Sequence, residues 1–260
     1  MTVRTQHDEV VRREFTRQAA DYAAATAISD GGRIGRLIET VRPSSDARVL
    51  EIATGPGYVA MGFAAVCREV VGVDVTDAML AIARQTAADR GLTNIRFEAG
   101  NAAALTFEDG ALDVVVCRYA FHHFEQPQQV LAEMVRVCRT GGTVAVEDAI
   151  VSEHPERAGY QNRFENLCDP SHTRALPLTA LIGCFAAGGL EVERVTTSHL
   201  TLAVEQWMAV AKTPPDRAVE VRQLIEQDER DDLSGTQPFR RGGDLYFRSR
   251  IATVVGRKLG

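Results

Sequence analysis

The chain has 260 residues, 45% hydrophobic and 25% charged, the balance of an ordinary water-exposed globular fold. A formal charge of -6 leaves no bulk attraction for nucleic acid. The chain contains no apolar run of roughly 18 residues, and the N-terminal MTVRTQHDEVVRREF is too charged for a signal peptide, so a cytoplasmic protein without membrane insertion is expected. Five cysteines without a C-x-x-C pair are expected to be reduced and mostly buried.

In chain order, residues 8–42 read as helical. DEVVRREFTRQAADYAAATA sets Val11, Phe15 and Tyr22 on roughly one face, and Ser29 or Asp30 offers a second N-cap. From residue 48 apolar, strand-like runs alternate with helical ones. Strands are predicted over 48–53, 68–74, 95–102, 112–120 and 142–150. Between them, TDAMLAIARQTAADRG reads as a helix capped at Thr76 and stopped at Gly91, and QPQQVLAEMVRVCRTGG as another ending at Gly141. This rhythm implies βαβ units: an α/β fold with a mostly parallel sheet and helices on both faces. Its ligand belongs beyond the carboxyl ends of the strands. After residue 151 the rhythm breaks. Residues 152–175 are polar and read as irregular; LPLTALIGCFAAGGL is a helix, EVERVTTSHL a strand, 202–231 helical with a break at Pro214-Pro215, and DLYFRSRIATVVGRK the last strand.

The stretch RVLEIATGPGYVA, residues 48–60, carries the chemistry. Gly55, Gly57 and Ala60 satisfy G-x-G-x-x-[GA], and VVGVD supplies an acidic residue, Asp74, as a dinucleotide site would. Glu51 argues against a nicotinamide or flavin. A buried carboxylate at a strand end needs a cationic or hydrogen-bonding partner, which an ammonium-bearing ligand supplies, whereas a pyrophosphate would be repelled.

VLEIATGPGYVA, VVGVDVTDAMLAIAR, GNAAALTFEDGALDVVVCRYAFHHF and VLAEMVRVCRTGGTVAVED together resemble, in order and at family spacing, the class I S-adenosylmethionine-dependent methyltransferases of the ubiquinone/menaquinone C-methyltransferase-like (type 11) branch. The resemblance spans residues 48–150. It implies a Rossmann-like, seven-stranded methyltransferase sheet with an antiparallel last strand, binding S-adenosylmethionine and releasing S-adenosylhomocysteine. It also implies a helical cover over 1–45, a cofactor-binding core over 46–151, and acceptor-covering segments with the rest of the sheet over 152–260, all in one domain. Under it, Gly55 and Gly57 let the backbone approach the methionine part, Ala53 belongs to the same cofactor site, Glu51 orients the amino group, and Asp74 accepts from the ribose hydroxyls. Val75 and Met79 line the adenine, while Gly100, Asn101 and Ala102 stand at its edge, with Asn101 where the family usually has Asp. Arg118 lies near the sulfonium. REFTRQAADYAA resembles the family's cover helix, with Phe15, Gln18 and Tyr22 closing over the cofactor.

Methyl transfer is a direct displacement that needs alignment, and a base only when the acceptor must lose a proton. His122, His123 and His172 are candidate bases. Tyr22 and Tyr119 are candidate positioning groups, and no metal is implied. His172 falls in LCDPSHTRALPL, which resembles a D-P-S-H segment of one group of these proteins but also reads as a helix-capping turn with Pro170 as the first helical residue. Glu51 as a strand-end residue, Asp74 as a cap, Asn101 as a turn residue and the histidines as packing groups are the plainer readings. The acceptor expected is small and partly apolar, methylated on carbon or oxygen, by a monomer or homodimer. A protein of this fold that binds the cofactor or its product and rearranges or cyclises a ligand, or only binds, stays open.

Overall fold

The computed structural model describes residues 5–260; the first four residues of the charged N-terminal stretch lie outside them. The strands are β1 (Arg48–Ile52), β2 (Glu69–Asp74), β3 (Ile95–Ala99), β4 (Leu112–Arg118), β5 (Cys138–Val151), β6 (Leu176–Pro177), β7 (Leu190–Ala203), β8 (Phe239–Arg241) and β9 (Asp244–Lys258). The helices are α1 (Gln6–Ala24), α2 (Thr26–Ser29), α3 (Gly31–Val41), α4 (Tyr58–Ala64), α5 (Asp77–Asp89), α6 (Pro127–Val137), α7 (Pro155–Cys168), α8 (Leu178–Ala187), α9 (Val204–Ala211) and α10 (Pro215–Asp231).

The sheet runs β3-β2-β1-β4-β5-β9-β7, with β6 added to β5 and β8 to β9. The first five are mutually parallel and β9 is antiparallel to both neighbours. The seven-stranded sheet with an antiparallel last strand is therefore present, extended by two short strands the sequence did not announce.

Alternation along each strand divides the core. Leu50, Ile52, Val115 and Val146 face α6 and α8, whereas Val49, Val70, Val114 and Val116 face α3, α4 and α5. Each such aliphatic side chain, fully withdrawn from water, contributes about 1.5–3 kcal/mol. A third cluster joins α7, α9 and α10 to β9 through Phe164, Met208, Ile225 and Phe247.

Several boundaries differ from expectation. Residues 155–168 form a helix, not an irregular stretch. Its buried face mixes Gln161 and Glu165 with Phe164 and Cys168, so no apolar stripe marks it in the sequence. Strand pairing claims residues up to Ala203, and α9 begins only at Val204. Likewise α6 ends at Val137, because Cys138 already pairs with Leu112. Asp30, not Ser29, caps α3, accepting from the N–H groups of Gly32 and Arg33.

Candidate functional site

The strand order reverses at β1, with β2 on one side and β4 on the other, so their carboxyl ends open a crevice. The turn after β1 enters it through two left-handed residues, Ala53 (φ 49°) and Gly55 (φ 52°). Gly57 (φ 79°) serves a different end from the one expected. A Cβ there would lie 2.6 Å from the Phe97 ring, so its missing side chain lets the turn pack on β3, and it does not line the cavity.

A cavity of about 190 Å³ at these strand ends is lined by Glu51, Ala53, Gly55, Asp74, Val75 and Met79, then Gly100, Asn101, Ala102 and Arg118. Helix α1 roofs it with Phe15 and Tyr22, so the face shared by Val11, Phe15 and Tyr22 looks into the site, not the core. Asp8 and Thr76 also line it; Thr76 lies within VVGVDVTDAMLAIAR but reads there only as a helix cap, and Asp8 carries no motif.

Glu51 Oε2 accepts from Thr54 Oγ1 at 2.5 Å and from Ala60 N–H at 2.8 Å, both neutral donors. Burial outweighs these bonds and pushes its carboxyl up to about 8. Asp74 Oδ2 accepts from Gly55 N–H and Oδ1 from Thr76 N–H, each at 2.8 Å. The Thr76 hydroxyl and the Val75 N–H also act on this carboxyl. Burial again raises the carboxyl, opposed by these bonds. Asp74 thus also holds the start of α5, where Thr76 makes no side-chain cap. Asn101 accepts the Ala103 N–H on its amide oxygen at 2.8 Å, as a turn residue does, and its Nδ2 donates to Asp8 Oδ2 at 3.4 Å.

Arg118 is buried. Nε donates to Glu147 Oε1 at 2.8 Å and Nη1 to the Ile28 carbonyl at 3.0 Å, while Nη2 is buried without a partner. Glu147 is closed by Thr253 Oγ1 at 2.7 Å.

A second cavity, of about 500 Å³, adjoins the first; Phe15, Tyr22, Ile28, Tyr119 and His123 line both. Here the three predicted histidines meet. The His122 ring lies 4.1 Å from His123 and 5.3 Å from His172, centre to centre. His122 Nδ1 lies 2.7 Å from Asp148 Oδ1, and its backbone N–H donates to Oδ2 at 2.8 Å. Burial alone would lower His122, but the charge and hydrogen bond of Asp148 outweigh it and the net shift is upward. His123 Nδ1 contacts the Ser171 carbonyl and hydroxyl. Its pKa is depressed, by burial and by neighbouring His122. His172 Nε2 contacts Asn162 Oδ1 at 2.8 Å, and burial holds it well below the usual histidine value. Glu165, 3.6 Å from His172, is raised by burial, against the hydrogen bond it accepts from Gln161. The D-P-S-H stretch is a turn at the C-terminal end of α7, not a helix start: Asp169 Oδ1 accepts from the Ser171 N–H and hydroxyl. That turn nonetheless brings Asp169 and His172 to the cavity.

This strand order, with a left-handed turn after β1 and acidic residues in β1 and β2 at one crevice, defines a Rossmann-like methyltransferase. The chain belongs to the methyltransferase family: a methyltransferase-domain family model matches residues 49–142. The uncharacterized methyltransferase YcgJ of Bacillus subtilis is 31% identical over 207 residues, covering 80% of this chain and 82% of the relative. Its crystal structure superposes with a TM-score of 0.83, over 88% of this chain and 99% of that one. A crystal structure from Bacillus halodurans gives 0.83 at 26% identity, over 88% and 100%. The ubiquinone/menaquinone biosynthesis C-methyltransferase UbiE of Ectopseudomonas mendocina is 32% identical over 152 residues, 55% of this chain and 59% of that protein.

The residues present fit the cofactor such a family implies. S-adenosylmethionine carries an ammonium, a carboxylate and two ribose hydroxyls. The first cavity offers Glu51 without a cationic hydrogen-bond donor, Arg118 Nη2 without a partner, and the Asp74 carboxyl on its wall. Among the described residues no group of three or more His, Cys, Asp or Glu could hold a metal ion, and no helix is long and apolar enough to cross a membrane.

Proposed function

We propose that this methyltransferase takes its methyl group from S-adenosylmethionine and places it on oxygen or carbon of a small, partly apolar acceptor, with His122 as the base. The observation that carries the reading is the pair of buried carboxyls, Glu51 and Asp74, on one cavity that adjoins a larger one. Glu51 holds the ammonium, Asp74 the ribose hydroxyls and Arg118 Nη2 the carboxylate, while Val75, Met79 and Ala102 pack on the adenine. When bound, the cofactor supplies a methyl carbon whose bond to sulfur breaks with its electron pair left on sulfur, giving S-adenosylhomocysteine.

The chain's own residues do the rest. Phe15, Tyr22 and Tyr119 stand at the seam of the two cavities and orient the acceptor toward the first, and alignment of this kind lowers the barrier substantially. His122 takes the acceptor's proton on Nε2, because Nδ1 is engaged by Asp148, which fixes the tautomer and stabilises the imidazolium formed. His123 and His172 pack beside it as neutral rings. Residues 1–45 and the helical segments of 152–260 act as covers that exclude water from the 46–151 core, while the strands of 152–260 complete the sheet. The five buried, unpaired thiols suit a reducing cytoplasm.

The test is turnover: the protein is incubated with S-adenosylmethionine and a panel of hydroxylated apolar compounds, and products are read by mass. One added methylene unit together with S-adenosylhomocysteine supports the reading. A changed acceptor with no S-adenosylhomocysteine would replace it by a rearrangement or cyclisation.

A further inference from the structure

The larger cavity carries more information than its size. Of the described side chains, three polar groups are buried without a partner: Arg118 Nη2, Gln18 Nε2 and the Tyr119 hydroxyl. Orphaned donors are rare in folded proteins and each calls for an explanation. Arg118 lines the first cavity, Gln18 the second and Tyr119 both, with the Tyr119 hydroxyl beside the Arg118 guanidinium and its proton left for a ligand. Gln18 is 1% exposed, so no bulk water serves its amide. Tyr119 holds a left-handed backbone (φ 53°), a conformation disfavoured for a bulky residue and kept where the surroundings demand it. Its ring lies against the Arg118 guanidinium, 4.1 Å from ring centre to the guanidinium carbon.

The remaining walls narrow the ligand. Trp207, Val210, Phe247 and Ile251 form an apolar side. Glu165 and Asp169 line the cavity, and Asp148 stands behind His122. The cation on this wall, Arg33, is engaged by Asp30 and the His199 carbonyl, and with Asp30, Glu165 and Asp169 around the cavity a carboxylate or phosphate is disfavoured. A neutral amide donor and a phenol suit a carbonyl-type oxygen, and a carboxylate-supported imidazole suits a hydroxyl that gives up its proton.

We propose that the acceptor is a flat, mostly apolar molecule bearing two separate oxygens: an ionisable hydroxyl placed at His122, and a carbonyl-type oxygen that accepts from Gln18 Nε2 and the Tyr119 hydroxyl. The assignment rests on the methyltransferase reading above and adds the recognition of the second oxygen. Gln18 and Tyr119 are specificity-determining residues; the proton passes from the hydroxyl to His122 and neither of them takes part in that transfer.

The experiment uses three matched fluorescent or absorbing probes: 7-hydroxycoumarin with both oxygens, coumarin without the hydroxyl, and 2-naphthol without the carbonyl. Each is titrated into the full chain, free and saturated with S-adenosylhomocysteine. 7-Hydroxycoumarin binds at least about tenfold more tightly than either relative, the ratio expected for one buried hydrogen bond. Gln18→Leu and Tyr119→Phe shrink its advantage over 2-naphthol, read as the ratio of the two affinities within each variant, and His122→Ala shrinks its advantage over coumarin. Equal affinities for the three probes, or ratios that survive both Gln18→Leu and Tyr119→Phe, overturn the assignment. Binding of S-adenosylhomocysteine is measured separately. Its absence defeats the cofactor reading, whereas its presence with equal probe affinities defeats the acceptor assignment alone.

Discussion

Asp148 holds His122 at two points: its Oδ2 accepts the His122 backbone N–H at 2.8 Å and its Oδ1 lies 2.7 Å from ring Nδ1. The backbone bond fixes where the histidine sits and the ring bond fixes which nitrogen is left. A general base so held contributes about 10²–10⁴-fold. His122→Ala therefore lowers turnover by that order and leaves cofactor affinity nearly unchanged, a split that steady-state kinetics and calorimetry read directly. An equal loss in both would make the ring a packing group.

The same pair sets a pH dependence. The folded pKa of His122 lies above its ordinary value of about 6.5. The base must be neutral, so kcat rises with pH through that raised value and then levels. Asp148→Asn moves the acid limb to lower pH and reduces the plateau. For stability the sign is opposite to that for activity. The imidazolium paired with Asp148 contributes fully below about pH 6.5, and its contribution is lost as pH rises through the folded value.

Glu51 makes a second, independent pH prediction. Its folded carboxyl titrates at about 8, above the ordinary value near 4.5, so the folded chain holds more protons than the unfolded one between those values. Stability of the ligand-free protein falls as pH rises across that window. An ammonium beside Glu51 favours the carboxylate, so binding of S-adenosylhomocysteine near pH 7 releases protons, and its affinity grows toward pH 8. Calorimetry in buffers of different ionisation enthalpy reads the released protons; Glu51→Gln abolishes the release.

Asp74→Ala removes the ribose-facing oxygens and strands the Gly55 and Thr76 N–H groups. Cofactor affinity falls by about 1.5–3 kcal/mol for each charge-assisted hydrogen bond lost, accompanied by a lower Tm. Unchanged affinity would remove Asp74 from the site.

Arg118→Met leaves Glu147 buried with Thr253 as its hydrogen-bonding side chain. Breaking a buried pair from one side costs about 3–5 kcal/mol. Urea unfolding is expected to show that loss, and the double change Arg118→Met with Glu147→Gln to recover most of it.

The part of this molecule legible in its sequence is the part built from repeating physical patterns. Apolar strands, capped helices and the glycine turn gave β1 to β5 and the placement of Glu51 and Asp74. What escaped depends on contacts distant along the chain. Helix α7 buries Gln161 and Glu165, so its inward face looks polar in the sequence. Gly57 reads as a cofactor glycine until Phe97, forty residues on, is seen beneath it. Three histidines are equivalent as candidate bases in the sequence, and only the fold shows that Asp148 hydrogen-bonds the ring of His122 while His172 turns to Asn162. Gln18 is legible as part of the cover helix, but that its amide is buried without a partner at the second cavity depends on where α1 packs.

The most direct test of the account is a calorimetric titration of the intact chain with S-adenosylmethionine, S-adenosylhomocysteine and NAD under identical conditions. Saturable binding of both adenosyl ligands, with no binding of NAD, is the predicted result. Binding of NAD alone would mean that Glu51 does not face an ammonium group, and would contradict the reading of the site.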